Sequence, residues 1–198
     1  MRFVILAASL AVMFLGGYGA RQKDSDAQSA SSGEATPLIL EKNEGELRVR
    51  RPREVPVPTK SFMFKVDSKN GGSQHLIFFT EEIPPGGTIP RHKHLGQDEI
   101  LFIKTSTAHV WLGSQERDVH AGATVFIPSE TWISLKNTGS EDLALVSIFS
   151  GLGFDDYLRC TSIPAGGQSA ALSSQEWKEC QHKGHAVFEA ASQPALSK

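Results

Sequence analysis

The chain has 198 residues, of which 39% are hydrophobic and 21% charged, with a formal net charge of -2. That length is about one domain's worth, and the composition is that of a globular protein, not a disordered one. The near-neutral balance excludes the strongly basic surface expected of a partner for nucleic acid or for an anionic membrane.

Residues 1–20 read as a secretory signal peptide. Arg2 gives the basic start, Phe3 to Leu15 a mostly apolar run, and Gly16-Gly17-Tyr18-Gly19-Ala20 the small residues a signal peptidase needs. The run falls short of the ~20 residues that span a bilayer, so no stable membrane anchor is expected. The expected destination is outside the cytoplasm, periplasmic or extracellular. Residues 21–37 carry Ser, Ala, Asp, Gln and Gly with hardly a large apolar side chain, which predicts a flexible leader. Beyond it, Arg48, Arg50, Arg51 and Arg53 are interspersed with prolines 52, 56 and 58. That mixture predicts a solvated extended arm or edge strand. In an oxidising compartment Cys160 and Cys180 are compatible with one disulfide, with two buried thiols as the alternative.

From Gln74 onward the pattern is all-β. Short apolar runs recur at His75–Thr80, Glu99–Lys104, Ala108–Leu112, Ala123–Ile127, Trp132–Lys136 and Leu143–Phe149, separated by Gly-, Pro- and Asn-rich turns. Such spacing predicts a sandwich or barrel, with no helical period intervening. The barrel is assigned to residues 38–160 and a C-terminal extension to 161–198. Within the extension, Ser173-Ser174-Gln175-Glu176 is a capping box that starts a short helix, with Trp177 and Cys180 on one face and Gly184 at its end. Val187-Phe188 is placed to return to the barrel, and the last residues, from about 190, to fray.

The segment Gly86 to Glu99 carries the chemistry. Residues two apart on a strand share a face, so His92 and His94 project together while Arg91 and Lys93 face away. Glu99 lies an odd five residues beyond His94, but the turn-like Leu95-Gly96-Gln97-Asp98 lets it begin the next strand facing the same interior. Two imidazoles and a carboxylate suit a divalent transition metal, and with open positions resemble the set used by non-haem iron oxygenases. Fe, Mn, Ni, Cu and Zn are not distinguished by these ligands.

At this point the sequence resembles the cupin superfamily, small metal-binding β-barrels of jelly-roll type. Gly86, His92, His94 and Glu99 follow the first cupin motif, with Ser106 where its last glycine would stand. Gly122, Pro128 and Asn137 follow the second, with Glu130 in place of a glycine and Ile133 in place of a histidine. The resemblance covers roughly residues 38–160 and implies a double-stranded β-helix. Pro84-Pro85-Gly86 and Gly151 to Tyr157 look most like quercetinase-type single-domain cupins. It also implies that His92, His94 and Glu99 are three of the usual four metal ligands, with Ile133 at the fourth and Trp132 facing outward. His75, His109 and His120 are weighed as replacement donors, His75 first, although each reads more simply as an ordinary strand or turn histidine. Glu130 reads as a turn residue, and His182 and His185 as surface groups.

The expected activity is that of an exported metal-dependent cupin, oxygenase- or dioxygenase-like, acting on a small aromatic or enolic compound. Leu101, Ile103, Ile133 and Leu135 are expected to form an apolar interior able to take a flat organic ligand. Decarboxylation of a small acid is less attractive, because the motif segments offer no inward arginine. The alternative is a non-catalytic exported cupin that binds a small molecule or a metal. A small-molecule ligand and a second copy of the chain, as a homodimer, are the expected partners.

Overall fold

A computed structural model describes residues 35–53 and 61–189. The signal-peptide assignment, most of the leader, prolines 56 and 58 and the fraying tail lie outside the described residues. In chain order the elements are β1 (Glu46–Arg50), β2 (Ser61–Val66), β3 (Leu76–Ile83), β4 (Thr88–His94), β5 (Glu99–Ile103), β6 (Thr107–Leu112) and β7 (Gln115–His120). They continue with β8 (Thr124–Ile127), β9 (Ile133–Asn137), β10 (Leu143–Ser150), α1 (Phe154–Cys160), β11 (Ser162–Pro164), α2 (Ser174–Lys183) and β12 (Ala186–Phe188). Among the described residues no helix is long and apolar enough to cross a membrane.

The strands form two antiparallel sheets, ordered β11-β1-β2-β3-β10-β5-β8 and β12-β4-β9-β6-β7, which is the jelly-roll sandwich the sequence predicts. Buried and exposed side chains alternate along β3, β5, β8 and β10, although several outward positions (Ile100, Phe102, Phe126, Ile148) are themselves apolar. Between the sheets lie two apolar clusters of different character. One is aliphatic, built on Ile83, Leu101, Ile103, Leu135, Leu143 and Leu145. The other is aromatic, built on Phe62, Phe64, Phe79, Phe149, Phe154 and Tyr157. Phe62 and Phe64 meet edge to face at 5.3 Å, a geometry the ring quadrupoles favour.

Two expectations need correction. Helix α1 was not expected, because its apolar stripe (Phe154, Tyr157, Leu158) fills barely two turns and gives too little period to read. The arginine-rich segment is not a solvated arm. Strand β1 is enclosed in the sheet between β2 and β11. Arg48 is 7% exposed and donates to Ser162 Oγ at 2.8 Å and to the Ser162 carbonyl at 2.9 Å. Charge pairing overrides composition here: Glu46 accepts from both Arg48 (2.6 Å) and Arg159 (2.8 Å), and Arg159 also pairs with the buried Asp67.

Helix α2 starts at the Ser173–Glu176 capping box, reciprocally hydrogen-bonded, and ends at Gly184. Gly184 is required by close approach, not by its φ of -93°: a Cβ there would land on Cβ and the backbone of Tyr157 in α1. Cys160 and Cys180 are joined in a disulfide that ties α1 to α2. Closing a separation of 20 residues contributes on the order of 3 kcal/mol in the chain-entropy model. Strand β12 then pairs with β4, bringing Phe188 opposite His92.

Candidate metal centre

Strand β4 presents His92 and His94 to the interior and Arg91 and Lys93 to the outside, where both cations stand over the Trp132 ring at 5.4 and 5.6 Å. Pro90 shapes this strand. Lacking an N–H, proline is confined within sheets to edges and bulges. The β4–β9 register shifts between Ile89, opposite Leu135, and His92, opposite Ile133. Without that shift Trp132 would stand across from His92. The bulge also lets Ile89 and His92, three residues apart, both face the cavity. The carbonyl of Pro90 accepts a hydrogen bond from His92 Nδ1 at 2.8 Å, which leaves the Nε2 lone pair available as a ligand.

Glu99 opens β5 after the predicted turn. That turn is tied down by Ser129 N–H donating to Asp98 Oδ1 (2.9 Å) and Gly96 N–H donating to Ser129 Oγ (2.8 Å). Buried Gln97 donates to the Gly151 carbonyl (2.9 Å) and accepts from Phe154 N–H (3.0 Å), so the same turn seats the start of α1. Phe154 is thereby held edge-on to His94 at 4.4 Å, with Phe149 at 4.8 Å on another side. His92 stacks on Phe188 at 5.1 Å. The two imidazoles sit in an aromatic cage.

One ligand atom from each of His92, His94 and Glu99 lies within 4.8 Å of the others, and all three residues are buried. His94 Nε2 stands 3.3 Å from Glu99 Oε2, about the spacing of two donors ~2.1 Å from a common ion. Burial, and secondarily the neighbouring His94, push the His92 pKa down to about 4 against the opposing pull of Glu99 and Pro90. His92 is therefore the neutral imidazole that a metal requires at physiological pH. Neither ring nitrogen of His94, 2% exposed, makes a hydrogen bond among the described residues. Buried polar atoms without partners are rare in folded proteins. A cation between His94 Nε2, His92 and Glu99 would give that nitrogen its partner, so the donor set fits a divalent metal.

The other histidines stay apart. His75, the first-ranked replacement donor, is exposed before β3, because the strand's inward positions begin at Ile77. His109 lies on the outer side of its sheet, 2.7 Å from Asp118 and tilted on Trp111, and His120, His182 and His185 are exposed. Glu130 pairs with Lys93 at 2.7 Å on the outside. Ile133, directly opposite His92 and 3% exposed, faces the cavity as the motif alignment expects, with Leu101 and Leu135 beside it.

The cavity in front of His92 and Glu99 is small, about 70 Å³. Pockets for drug-sized ligands run to ~300 Å³ and more, which narrows the expected flat organic ligand to a compact molecule of a few heavy atoms. Its wall also holds what the motifs alone did not offer: Arg50 and Arg53, together with Glu81. Arg50 lies 3.5 Å from Glu81 and over the Phe62 ring at 4.7 Å. Arg53 lies over the Trp177 ring at 4.8 Å. The motif segments supply neither of these arginines; both come from residues upstream of them.

Residues 79–149 match the family model described as Cupin domain. The oxalate-binding protein of Thermotoga maritima is 29% identical over 72 residues, which are 36% of this chain and 60% of that relative's length. Among solved structures, one described as a predicted oxalate decarboxylase from Thermotoga maritima aligns with a TM-score of 0.49 at 22% identity, covering 58% of this chain and all of that one. A recombinant oxalate oxidase in complex with glycolate aligns at 0.44 and 21%, over 50% and 53% of the two chains.

Proposed function

The chain belongs to the cupin superfamily, and from that premise we propose that it is a metal-dependent enzyme of oxygenase type acting on a compact organic substrate. The orphaned, buried Nε2 of His94, 3.3 Å from Glu99 and grouped with His92, carries this reading. A divalent ion held by these three would supply Lewis acidity and, if redox-active, electron exchange with dioxygen. His92 is oriented for ligation by its bond to Pro90. Phe149, Phe154 and Phe188 exclude water from the imidazole faces. Glu99 supplies the anionic donor, and its carboxylate can take a proton from a substrate that coordinates directly.

Ile133 supports a second reading, a cupin that binds a metal or small molecule without turnover, because it removes one usual ligand at a position opposite His92. Oxygen uptake separates the two. Protein reconstituted in turn with Fe, Mn, Ni, Cu and Zn is assayed against small enediols, diketones and hydroxy acids. The enzyme reading expects uptake with at least one metal, abolished by His94→Ala; no uptake with any metal demonstrably bound supports the binding reading. Export, too, is a proposal, supported by the basic and apolar start of the chain and by the Cys160–Cys180 bridge.

A further inference from the structure

We propose that the outer face of the seven-stranded sheet is the surface on which a second copy of this chain docks, sheet against sheet about a two-fold axis. The registers set Phe78, Ile148, Ile100 and Phe126 side by side in one row across β3, β10, β5 and β8. The next row runs Leu47, Met63, Thr80, Val146 and Phe102 across β1, β2, β3, β10 and β5. These side chains point away from the barrel interior, because their strand neighbours Ile77, Phe149, Leu101 and Ile127 are the buried ones. Phe126 is 55% exposed, and Ile100, Phe102, Ile148 and Leu47 are exposed with it. The other sheet turns Lys93, Lys136 and Asp118 outward instead.

Size and position rule out a covering from within the chain. With strands ~4.8 Å apart and ~3.3 Å per residue, the patch from β1 to β8 measures roughly 24 by 16 Å, about 400 Å² in plan. A monomer seldom leaves so large an apolar area bare without a use for it. With its polar rim the face approaches the ~800 Å² each partner gives to a standard interface. The stretch 38–43 lines a groove beside Met63, Phe78 and Val146, but that groove includes none of Ile100, Phe102, Phe126 and Ile148. Residues 21–34 hold no large apolar side chain that could cover them. The apolar run ahead of those, Phe3 to Leu15, is the one assigned to the signal peptide.

A second copy fits because the face is its own complement. Across β3, β10, β5 and β8 the first row reads Phe-Ile-Ile-Phe, a palindrome about the boundary between β10 and β5. A two-fold axis along that boundary keeps the strand directions aligned, as sheets packed face to face require. It sets Phe78 against the partner's Phe126 and Ile148 against the partner's Ile100, and each contact occurs twice, as an isologous interface demands. The facing phenylalanines add aromatic contacts to the buried area. The rim agrees. Lys104, just past β5, and Asp142, just before β10, lie exposed at the same end of the face, and the axis brings each towards the other's counterpart in the partner. An uncharged centre with charge at the edge is the composition of a protein interface. The face lies on the far side of the sheet from the cavity, so the inference stands apart from the metal centre.

The test is sedimentation velocity of the full chain. Interfaces of this size have Kd values of about micromolar or tighter, so a dimer should be present at about 1–100 µM. Ile100→Lys and Phe126→Lys, both at exposed positions, should each raise the dimer Kd at least about 30-fold, the loss of one central anchor. Together they should leave a monomer whose circular dichroism spectrum is that of the wild type. If the double lysine variant does not fold, Ile100→Ser with Phe126→Ser carries the same test. Arg117→Ala, on β7 of the other sheet, should leave the dimer intact. The axis has its own readout: Ile100→Lys mixed with Ile148→Glu should form a heterodimer tighter than either variant's homodimer, because position 100 faces the partner's 148. A wild type that is monomeric throughout, or a folded double variant with the wild-type Kd, overturns the proposal. A mixture no tighter than its components overturns the two-fold arrangement.

Discussion

Replacing Ile133 by histidine tests the geometry of the centre through stability. Ile133 is 3% exposed, lies opposite His92 across the bulged β4–β9 pair and faces the cavity. Without metal, the substitution gives up part of the ~1.5–3 kcal/mol that burying an isoleucine provides and adds buried nitrogen atoms that cost ~1–3 kcal/mol each when unsatisfied. A net loss of about 2 kcal/mol lowers the melting temperature by roughly 4–8 °C in a protein of this size. With metal the sign reverses. Ligand binding stabilises by about 2.7 kcal/mol at a hundredfold excess over Kd, and each tenfold gain in affinity adds about 1.4 kcal/mol. The metal-induced rise in melting temperature should therefore be larger in Ile133→His than in the wild type, by roughly 3–6 °C for a tenfold gain. Melts of both proteins by circular dichroism, stripped and reloaded, read this directly. A stripped variant as stable as the wild type, with no larger metal-induced rise, would show that position 133 does not face the imidazole pair.

Glu130 and Ser106 occupy two positions where the cupin motifs carry glycine, and both hold φ at +66°, so the backbone keeps the glycine conformation while the residue does not. Glu130→Gly should raise the urea midpoint by the equivalent of ~0.5–1 kcal/mol, since relief of ~1–2 kcal/mol exceeds the glycine entropy cost and the exposed Lys93 pair contributes little. Ser106→Gly should gain less, because its hydroxyl donates to the Glu141 carbonyl at 3.2 Å; a lower midpoint for Glu130→Gly would contradict the strain argument. Gly184→Ala places a methyl on Tyr157 and should destabilise by at least ~1–3 kcal/mol, read in the same titration. An unshifted midpoint there would mean that α1 and α2 do not pack as described.

Much of the barrel was legible because short apolar runs bounded by turn residues mark β3, β5, β8 and β10. The imidazole pair and Glu99 were legible for a related reason: strand parity plus one turn settles their direction. The capping box announced α2 at Ser173. What escaped was long-range. Nothing local says that Arg48 would be buried, since its acceptor Ser162 lies 114 residues away. The same holds for Arg50, which meets Glu81 across 31 residues, and for Arg53. Pro90 was a readable signal that went unread: a proline inside a strand marks a bulge, and this bulge sets the residue opposite His92. Gln97 looked like an ordinary turn residue, and its task of seating α1 depends on Gly151 and Phe154, more than fifty residues on.

The most direct test of the metal centre is elemental analysis of the protein purified without chelator, beside its His92→Ala variant. Near-stoichiometric metal in the wild type, lost in the variant, is the predicted result. Equally low metal in both proteins would contradict it and leave the buried imidazoles without an explanation.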